Sequence, residues 1–277
     1  MKKNVYLYRV SSWLKHQLTA RNTGGHGVHS PYLFEWVRMV MSDKHVYCVW
    51  DKVEGVRTQM LASEDVVEFV DYGSGVRLSS ENAINKRVVK DIAKGSLAKA
   101  KYAQMLFRLV NWLGHQLRDG NKGLTIVELG TSLGITTLYL SSARPSANIY
   151  TIEGCPNIAK IAQTNFKNSK ATNINSTVGN LDNKLSEILS KIDSLDMVFF
   201  DANHTKEATL NYFYQCLEKA NNNTVFIFDD IYWSEGMTEA WKEIYNNEKV
   251  TYSIDLFHLG MVFFNKEWIK SHFKVKF

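Results

Sequence analysis

Apolar residues recur along the chain at two different spacings, and the spacing changes near residue 120. Over 6–18 and again over 98–117 they return every three to four positions, which predicts amphipathic helices. Ser30 followed by Pro31 predicts the start of another helix that runs to Met41, because serine caps helices and proline fits their first turn. We therefore expect residues 1–115 to form a helical extension that caps an active site, binds substrate or forms a dimer contact.

Beyond residue 120, short apolar runs alternate with amphipathic stretches. The predicted strands are 124–129, 148–152, 175–178, 197–200, 225–228, 251–256 and 261–264, and the predicted helices are 135–142, 157–167, 185–191, 208–219 and 237–245. Such alternation predicts a parallel sheet that helices cover on both faces. The last two strands are joined by only a few residues, too few for a crossover, so they should pair as an antiparallel hairpin. The sequence thus predicts an α/β fold over 116–277: a Rossmann-like, doubly wound sheet of seven strands with an antiparallel edge hairpin.

Composition narrows the class of protein. The chain has 277 residues, 45% of them hydrophobic, and a net charge of +5. That charge is too small to demand a nucleic acid partner, although it permits an anionic one. Three cysteines without a CxxC pair indicate reduced thiols. Because the chain lacks a secretory leader pattern and an apolar run of about 18 residues, we expect a soluble, cytoplasmic protein with no membrane partner.

One loop carries the strongest candidate chemistry. Residues 126–134 read Ile-Val-Glu-Leu-Gly-Thr-Ser-Leu-Gly, so that a strand ends in an acid and a glycine-flanked turn leads into a helix. Glycine lets backbone N–H groups approach a ligand, and the helix N-terminus adds partial positive charge. About twenty residues later the next strand ends in Glu153, where a doubly wound sheet places a carboxylate for ribose hydroxyls. Ser132 stands where a dinucleotide fingerprint has glycine, which argues against such a fingerprint.

These motifs resemble those of class I S-adenosylmethionine (SAM)-dependent methyltransferases. The similarity is greatest to the metal-dependent branch that includes catechol and caffeoyl-CoA O-methyltransferases, and it covers roughly residues 95–265. Five segments carry it in order: 128–134, 151–154, 178–182, 199–204 and 228–233. The resemblance implies that SAM is the methyl donor.

The resemblance also implies which residues surround SAM. They are Glu128, Gly130, Thr131, Ser132, Gly134, Glu153, Gly179, Asn180 and Asp201. Among them, Glu153 would bind both ribose hydroxyls, whereas Gly179 and Asn180 would flank the adenine.

A metal site is the second implication of the resemblance. Asp201, Asp229 and Asp230 would hold Mg²⁺ or another divalent cation, since hard cations prefer carboxylate oxygens. The family usually has Asp-Asn where this chain has Asp229 and Asp230, so the alternative is that Asp230 faces solvent. His204 stands where the family places a lysine base, which makes it, with Asp201, the candidate catalytic residue.

Three further features have simpler interpretations. Residues 71–75 resemble a second acid and glycine turn, but no apolar helix start follows them, which favours a structural or substrate-side turn. His26 and His29 have the spacing of metal ligands, yet a glycine-rich hinge before a helix explains them better. Tyr232 and Trp233 either form a wall of a substrate pocket or pack ordinarily, and the sequence leaves both open.

The sequence as a whole predicts a SAM-dependent O-methyltransferase that acts on a small acceptor, with catechol-like aromatic compounds as candidates. One alternative is the same chemistry on tRNA or other RNA. Another is a SAM-binding scaffold without catalysis. A homodimer is the candidate assembly.

Overall fold

The computed structural model describes residues 2–20, 30–69, 85–116 and 123–277, and most of its elements pack on one large sheet. The sequence features at 71–75, His26 and His29 lie outside the described residues.

The first part of the chain is mainly helical, as its spacing predicted. Its elements are α1 (Lys2–Thr19), α2 (Pro31–Trp36), α3 (Cys48–Ala62), β1 (Val66–Phe69), β2 (Asn85–Val88), α4 (Val89–Ser96) and α5 (Ala100–Gln116). The side chain of Ser30 accepts a hydrogen bond from Leu33 N, so it caps α2 as predicted. The helix continues into a π-helical turn, Val37–Met41. β1 and β2 pair antiparallel in a separate two-stranded sheet that the sequence analysis did not predict.

The second part alternates strands and helices throughout. Its elements are β3 (Thr125–Leu129), α6 (Ile135–Ala143), β4 (Asn148–Glu153), α7 (Pro156–Asn168), β5 (Ile174–Val178), α8 (Leu181–Leu189), β6 (Leu195–Phe200), α9 (Lys206–Leu217), β7 (Ala220–Asp229), α10 (Glu235–Asn246), β8 (Tyr252–Asp255), β9 (Leu259–Phe263) and β10 (Ser271–Lys274). The strand order is β10-β8-β9-β7-β6-β3-β4-β5. Among the described residues of this sheet, β9 alone runs antiparallel to its neighbours, β7 and β8. The doubly wound α/β fold and the antiparallel hairpin are therefore confirmed.

The main sheet has eight strands where the sequence predicted seven. The additional strand, β10, pairs parallel with β8 at the edge of the sheet. Its four residues mix polar and apolar side chains and are only partly buried, so they lack the apolar run that identified the other strands.

Residues of the sheet alternate between two cores, one on each face. Ile126 of β3 joins the first core, and its neighbours Val127 and Leu129 join the second. The first core also includes Trp36 of α2, which is fully buried and packs edge-on against Phe263 at 6.4 Å between ring centroids. This core thus extends across residue 115, and the division into segments 1–115 and 116–277 stays a prediction.

No helix in the described part of the chain is both long and apolar enough to cross a membrane.

Candidate active site

Polar residues gather at the carboxyl ends of β3, β4, β6 and β7, the edge where doubly wound sheets bind ligands. A cleft of about 440 Å³ opens there. The predicted site residues that line it are Gly130, Ser132, Glu153, Asn180, Asp201, His204, Asp229 and Asp230. The predicted residues that do not line it are Glu128, Thr131, Gly134 and Gly179.

The two glycines of the turn after β3 are required by close packing. Gly130 has a φ of +101°, and a Cβ atom there would lie 2.1 Å from the carbonyl oxygen of Asp201. Gly134 has a φ of +81°, and a Cβ atom there would lie 2.4 Å from the Phe166 ring. Both conformations favour glycine. The glycines thus bring the β3 loop close to the end of β6 and to α7.

Glu153 holds two loops together at the floor of the cleft. Ser132 N donates a hydrogen bond to Glu153 Oε2 at 2.8 Å, and Cys155 N donates to Oε1 at 2.9 Å. Ser132 Oγ also lies 2.7 Å from Ser96 Oγ at the end of α4. The carboxylate predicted to bind ribose is therefore fixed in position, and the N-terminal part of the chain contacts the same loop.

Glu128 lies beneath the cleft and is fully buried. Its Oε2 atom accepts hydrogen bonds from the hydroxyls of Thr137 and Thr151, whereas Oε1 has no partner among the described residues. Burial raises the pKa of Glu128 to about 7, although the two threonines act in the opposite direction. A buried carboxylate oxygen without a hydrogen-bond partner, such as Glu128 Oε1, would be stabilised by a nearby cationic group.

Two of the three aspartates predicted as metal ligands, Asp201 and Asp229, lie together with His204. Asp201, His204 and Asp229 each place one potential ligand atom within 4.8 Å of the others. His204 Nε2 is 3.7 Å from Asp201 Oδ1. Asp230 lines the same cleft but lies outside this group, so its assignment as a ligand stays a prediction.

Negative charge is concentrated at this position. Burial raises the pKa of Asp201 well above its ordinary value, and the charges of Asp229 and Glu128 act in the same direction. Burial and the charge of Asp230 raise the pKa of Asp229 to about 8. Burial lowers the pKa of His204, against the charge of Asp230. A cation bound to these carboxyl groups would lower their pKa values and so restore their ionised form.

Strained backbone marks the same edge of the sheet. Ser132, Asn203 and Asp230 follow β3, β6 and β7, and their φ angles are +47°, +49° and +51°. All three residues line the cleft. Non-glycine residues in this conformation concentrate at functional sites, so the strain supports the location of the site.

A second cavity of about 150 Å³ adjoins the cleft. The residues common to both are Gly95, Ser96, Asp201, Asp229 and Asp230. The second cavity is also lined by Lys99, Tyr102 and His258, which the sequence analysis did not identify. These three residues belong to no local sequence motif. Lys99 directly precedes α5, Tyr102 lies in its first turn and His258 lies in the turn between β8 and β9, and only the folding of the chain brings these two segments together.

The two aromatic residues left open by the sequence have different environments. Tyr232 donates a hydrogen bond to Asp255 Oδ2 at 2.7 Å and stacks on Phe257, which is ordinary packing. Trp233 lines the cleft, and the Arg9 guanidinium carbon lies 4.3 Å from its ring centroid.

A larger cavity of about 1090 Å³ opens at the opposite, amino end of the strands. It contains none of the predicted site residues, and ligands of such sheets bind at the carboxyl ends. We therefore assign the site to the cleft despite its smaller volume.

Residues 127–231 match a family model described as a methyltransferase domain. That segment, 105 of the 277 residues, is similar to a methyltransferase domain. The resemblance to class I methyltransferases, which the five segments indicated, is confirmed by this match and by the fold. A search among curated proteins finds no match.

Solved structures share the fold of this methyltransferase domain at low sequence identity. An O-methyltransferase from Bacillus cereus in complex with SAH, the demethylated form of SAM, is 17% identical, with a TM-score of 0.53 over 84% of this chain and 97% of that one. The SAH-bound methyltransferase PaMTH1 of Podospora anserina is 13% identical, with a TM-score of 0.56 over 85% and 96%. The O-methyltransferase TomG of Streptomyces achromogenes, in complex with SAM, is 18% identical, with a TM-score of 0.51 over 61% and 82%.

Proposed function

We propose that the chain is a SAM-dependent O-methyltransferase that methylates a hydroxyl oxygen of a small acceptor. One observation carries this proposal: Asp201 and Asp229 line both the cleft and the second cavity. A methyl donor in the cleft and an acceptor in the second cavity would meet at these carboxylates. The methyltransferase domain and the solved O-methyltransferases of the same fold support the assignment.

The residues of the cleft fit SAM. Glu153 lines the cleft and offers its carboxylate to the ribose hydroxyls. A volume of about 440 Å³ lies within the range of small-molecule sites. SAM supplies an activated methyl group, so the protein needs to supply mainly proximity and a deprotonated nucleophile.

The aspartates fit a divalent cation, which Asp201, Asp229 and Asp230 would hold. Their crowded negative charge and their oxygen donors suit Mg²⁺ or Mn²⁺. Such a cation lowers the pKa of a hydroxyl that it binds, which makes the hydroxyl a better nucleophile at neutral pH.

His204 is the proposed base. Its Nε2 atom, at 3.7 Å from Asp201 Oδ1, is placed to accept the proton of the acceptor hydroxyl. As that proton leaves, the acceptor oxygen forms a bond to the methyl carbon while the bond between carbon and sulfur breaks. The products are the methyl ether and neutral SAH, and the proton rests on His204.

The proposal is tested with labelled SAM and fractionated cell extract. We expect label to enter small molecules, and we expect SAH to bind when titrated by calorimetry. Label in RNA would replace the small acceptor with RNA. SAH binding without transfer to any fraction would favour a scaffold, and a lack of SAH binding would remove the proposed function.

A further inference from the structure

The lining of the second cavity carries both signs of charge. The ends of β6 and β7 contribute Asp201, Asp229 and Asp230, whereas the connection between α4 and α5 contributes Lys99. An anionic group in this cavity is attracted by the lysine, whereas a hydroxyl can form a hydrogen bond with the aspartates. The cavity therefore favours one orientation of a ligand that is anionic at one end.

Basic side chains converge on the part of the cavity at His258. Burial is the largest cause of the lowered pKa of His258, and the positive charge of Lys99 is the next. Arg9 and Lys101 act in the same direction, while Asp230 acts against them. Among the described residues, no ion pair includes Lys99 or Arg9. The charge of Lys99, which lines the cavity, is thus available to a ligand, whereas Arg9 lies on the ring of Trp233.

The size and the apolar lining of the cavity suit one aromatic ring. Its apolar part is formed by Leu106, Phe199 and Leu259, and the ring of Tyr102 stands edge-on to His258 at 5.5 Å. A volume of about 150 Å³ is large enough for one benzene ring. Burial, together with the charge of Asp229, raises the pKa of Tyr102 to about 12, so its hydroxyl keeps its proton and can donate a hydrogen bond.

We propose that the acceptor is a monocyclic aromatic hydroxy acid, bound with its hydroxyl toward Asp201 and Asp229 and its carboxylate toward Lys99. This inference rests on the proposed function and adds the charge and the orientation of the acceptor. The ammonium of Lys99 forms a charge-assisted hydrogen bond with the carboxylate. With the carboxylate paired to Lys99 at one end of the cavity lining, the hydroxyl lies toward Asp201 and Asp229, which also line the cleft of the methyl donor.

The experiment compares two probes of nearly equal shape, 3,4-dihydroxybenzoate and its neutral amide. Each is titrated by calorimetry into the protein, with and without SAH, at low ionic strength. We expect the acid to bind about tenfold more tightly than the amide, because only the acid pairs with Lys99. In Lys99→Gln this preference should be lost. Lys94→Gln, which removes an exposed lysine of α4 outside both cavities, is the matched control and should keep the preference.

Three results of the titrations would overturn the inference: equal or tighter binding of the amide, a preference that persists in Lys99→Gln, or no binding of either probe. Transfer of label to both probes with equal efficiency would also overturn it, yet would leave the proposed O-methyltransferase standing. A lack of SAH binding removes the proposed function instead, and the titration without SAH still reports the preference for the acid.

Discussion

The Nε2 atom of His16 lies 3.1 Å from the Oδ1 atom of Asp255, and both side chains are buried. This contact joins α1 to the end of β8 across 239 positions of sequence. A second contact places Arg9 of the same helix on the ring of Trp233, which lines the cleft. The N-terminal helix is therefore fixed beside the candidate active site.

Replacing His16 tests how much this contact stabilises the fold. His16→Phe keeps a ring against Tyr232 and Phe257 but removes the hydrogen-bonding nitrogen from a buried carboxylate. Because Asp255 would lose one of its partners, we expect the free energy of unfolding to fall by about 2 kcal/mol. Urea unfolding measures this change. His115→Phe, at the exposed end of α5, is the control, and an equal effect of both variants would contradict the role of His16.

Most of the sheet could be predicted from the sequence because its interior strands are buried on both faces. Segments such as 195–200 are almost wholly apolar, and each lies between amphipathic helices. By contrast, β1, β2 and β10 are short and partly exposed, so their pattern does not differ from that of a loop. Local patterning thus identified the strands of the interior and the edge strand β5, whereas β1, β2 and β10 depend on their neighbours.

The candidate site could be predicted only in part, for a similar reason. Glu153, Asp201 and Asp229 could be located because they follow apolar strands whose carboxyl ends must share one edge. Lys99 and His258 could not, since they lie 159 positions apart and neither stands in a motif. Their proximity depends on how α5 packs on the sheet, which no local pattern describes.

Removal of the Glu153 carboxylate should weaken the binding of SAH. We expect Glu153→Ala to reduce the binding free energy by about 1.5–3 kcal/mol, the scale of a lost charge-assisted acceptor. Calorimetry measures the affinity, and Glu187→Ala, at an exposed position of α8, is the matched control. Because Glu153 also accepts from Ser132 N and Cys155 N, the melting temperature of the variant should be recorded as well. An unchanged SAH affinity in a folded variant would contradict the site.

The buried carboxyl of Glu128 should make stability depend on pH. Its pKa is raised from 4.5 to about 7 in the folded chain. Between these values the unfolded chain has released a proton that the folded chain retains, so the contribution of Glu128 to stability falls as pH rises. Above about pH 7, this contribution is unfavourable by at most about 3 kcal/mol.

Glu128→Gln removes this titration with little change of shape. Relative to the original chain, the variant should therefore be more stable at about pH 8 than at about pH 5. Calorimetric melting at both values tests the expectation, with Glu267→Gln at an exposed position as the control. A relative stability of Glu128→Gln that is the same at both values would show that the carboxyl titrates normally.

The aspartates should bind a divalent cation directly. We expect Asp201→Ala and Asp229→Ala to lose Mn²⁺ binding, because their oxygens lie within the same 4.8 Å group. Asp230→Asn should keep it, since the resembling family carries asparagine there and an amide oxygen can also be a ligand. Calorimetry with Mn²⁺ measures binding without reference to activity. EDTA should in turn remove methyl transfer and leave most of the SAH affinity. Full Mn²⁺ binding by Asp229→Ala would count against the site.

His204 should act on the proton rather than hold the metal, although it lies within the same group of side chains. If Nε2 is the base, His204→Gln should lower turnover by roughly 10²–10⁴-fold, the range for a lost general base, while Mn²⁺ and SAH affinities stay unchanged. Stopped assays with labelled SAM give the turnover, and calorimetry on the same preparations gives both affinities. His115→Gln, at an exposed position, controls for the loss of an imidazole as such. A parallel loss of Mn²⁺ affinity would make His204 a ligand. Unchanged turnover would leave deprotonation to the cation alone.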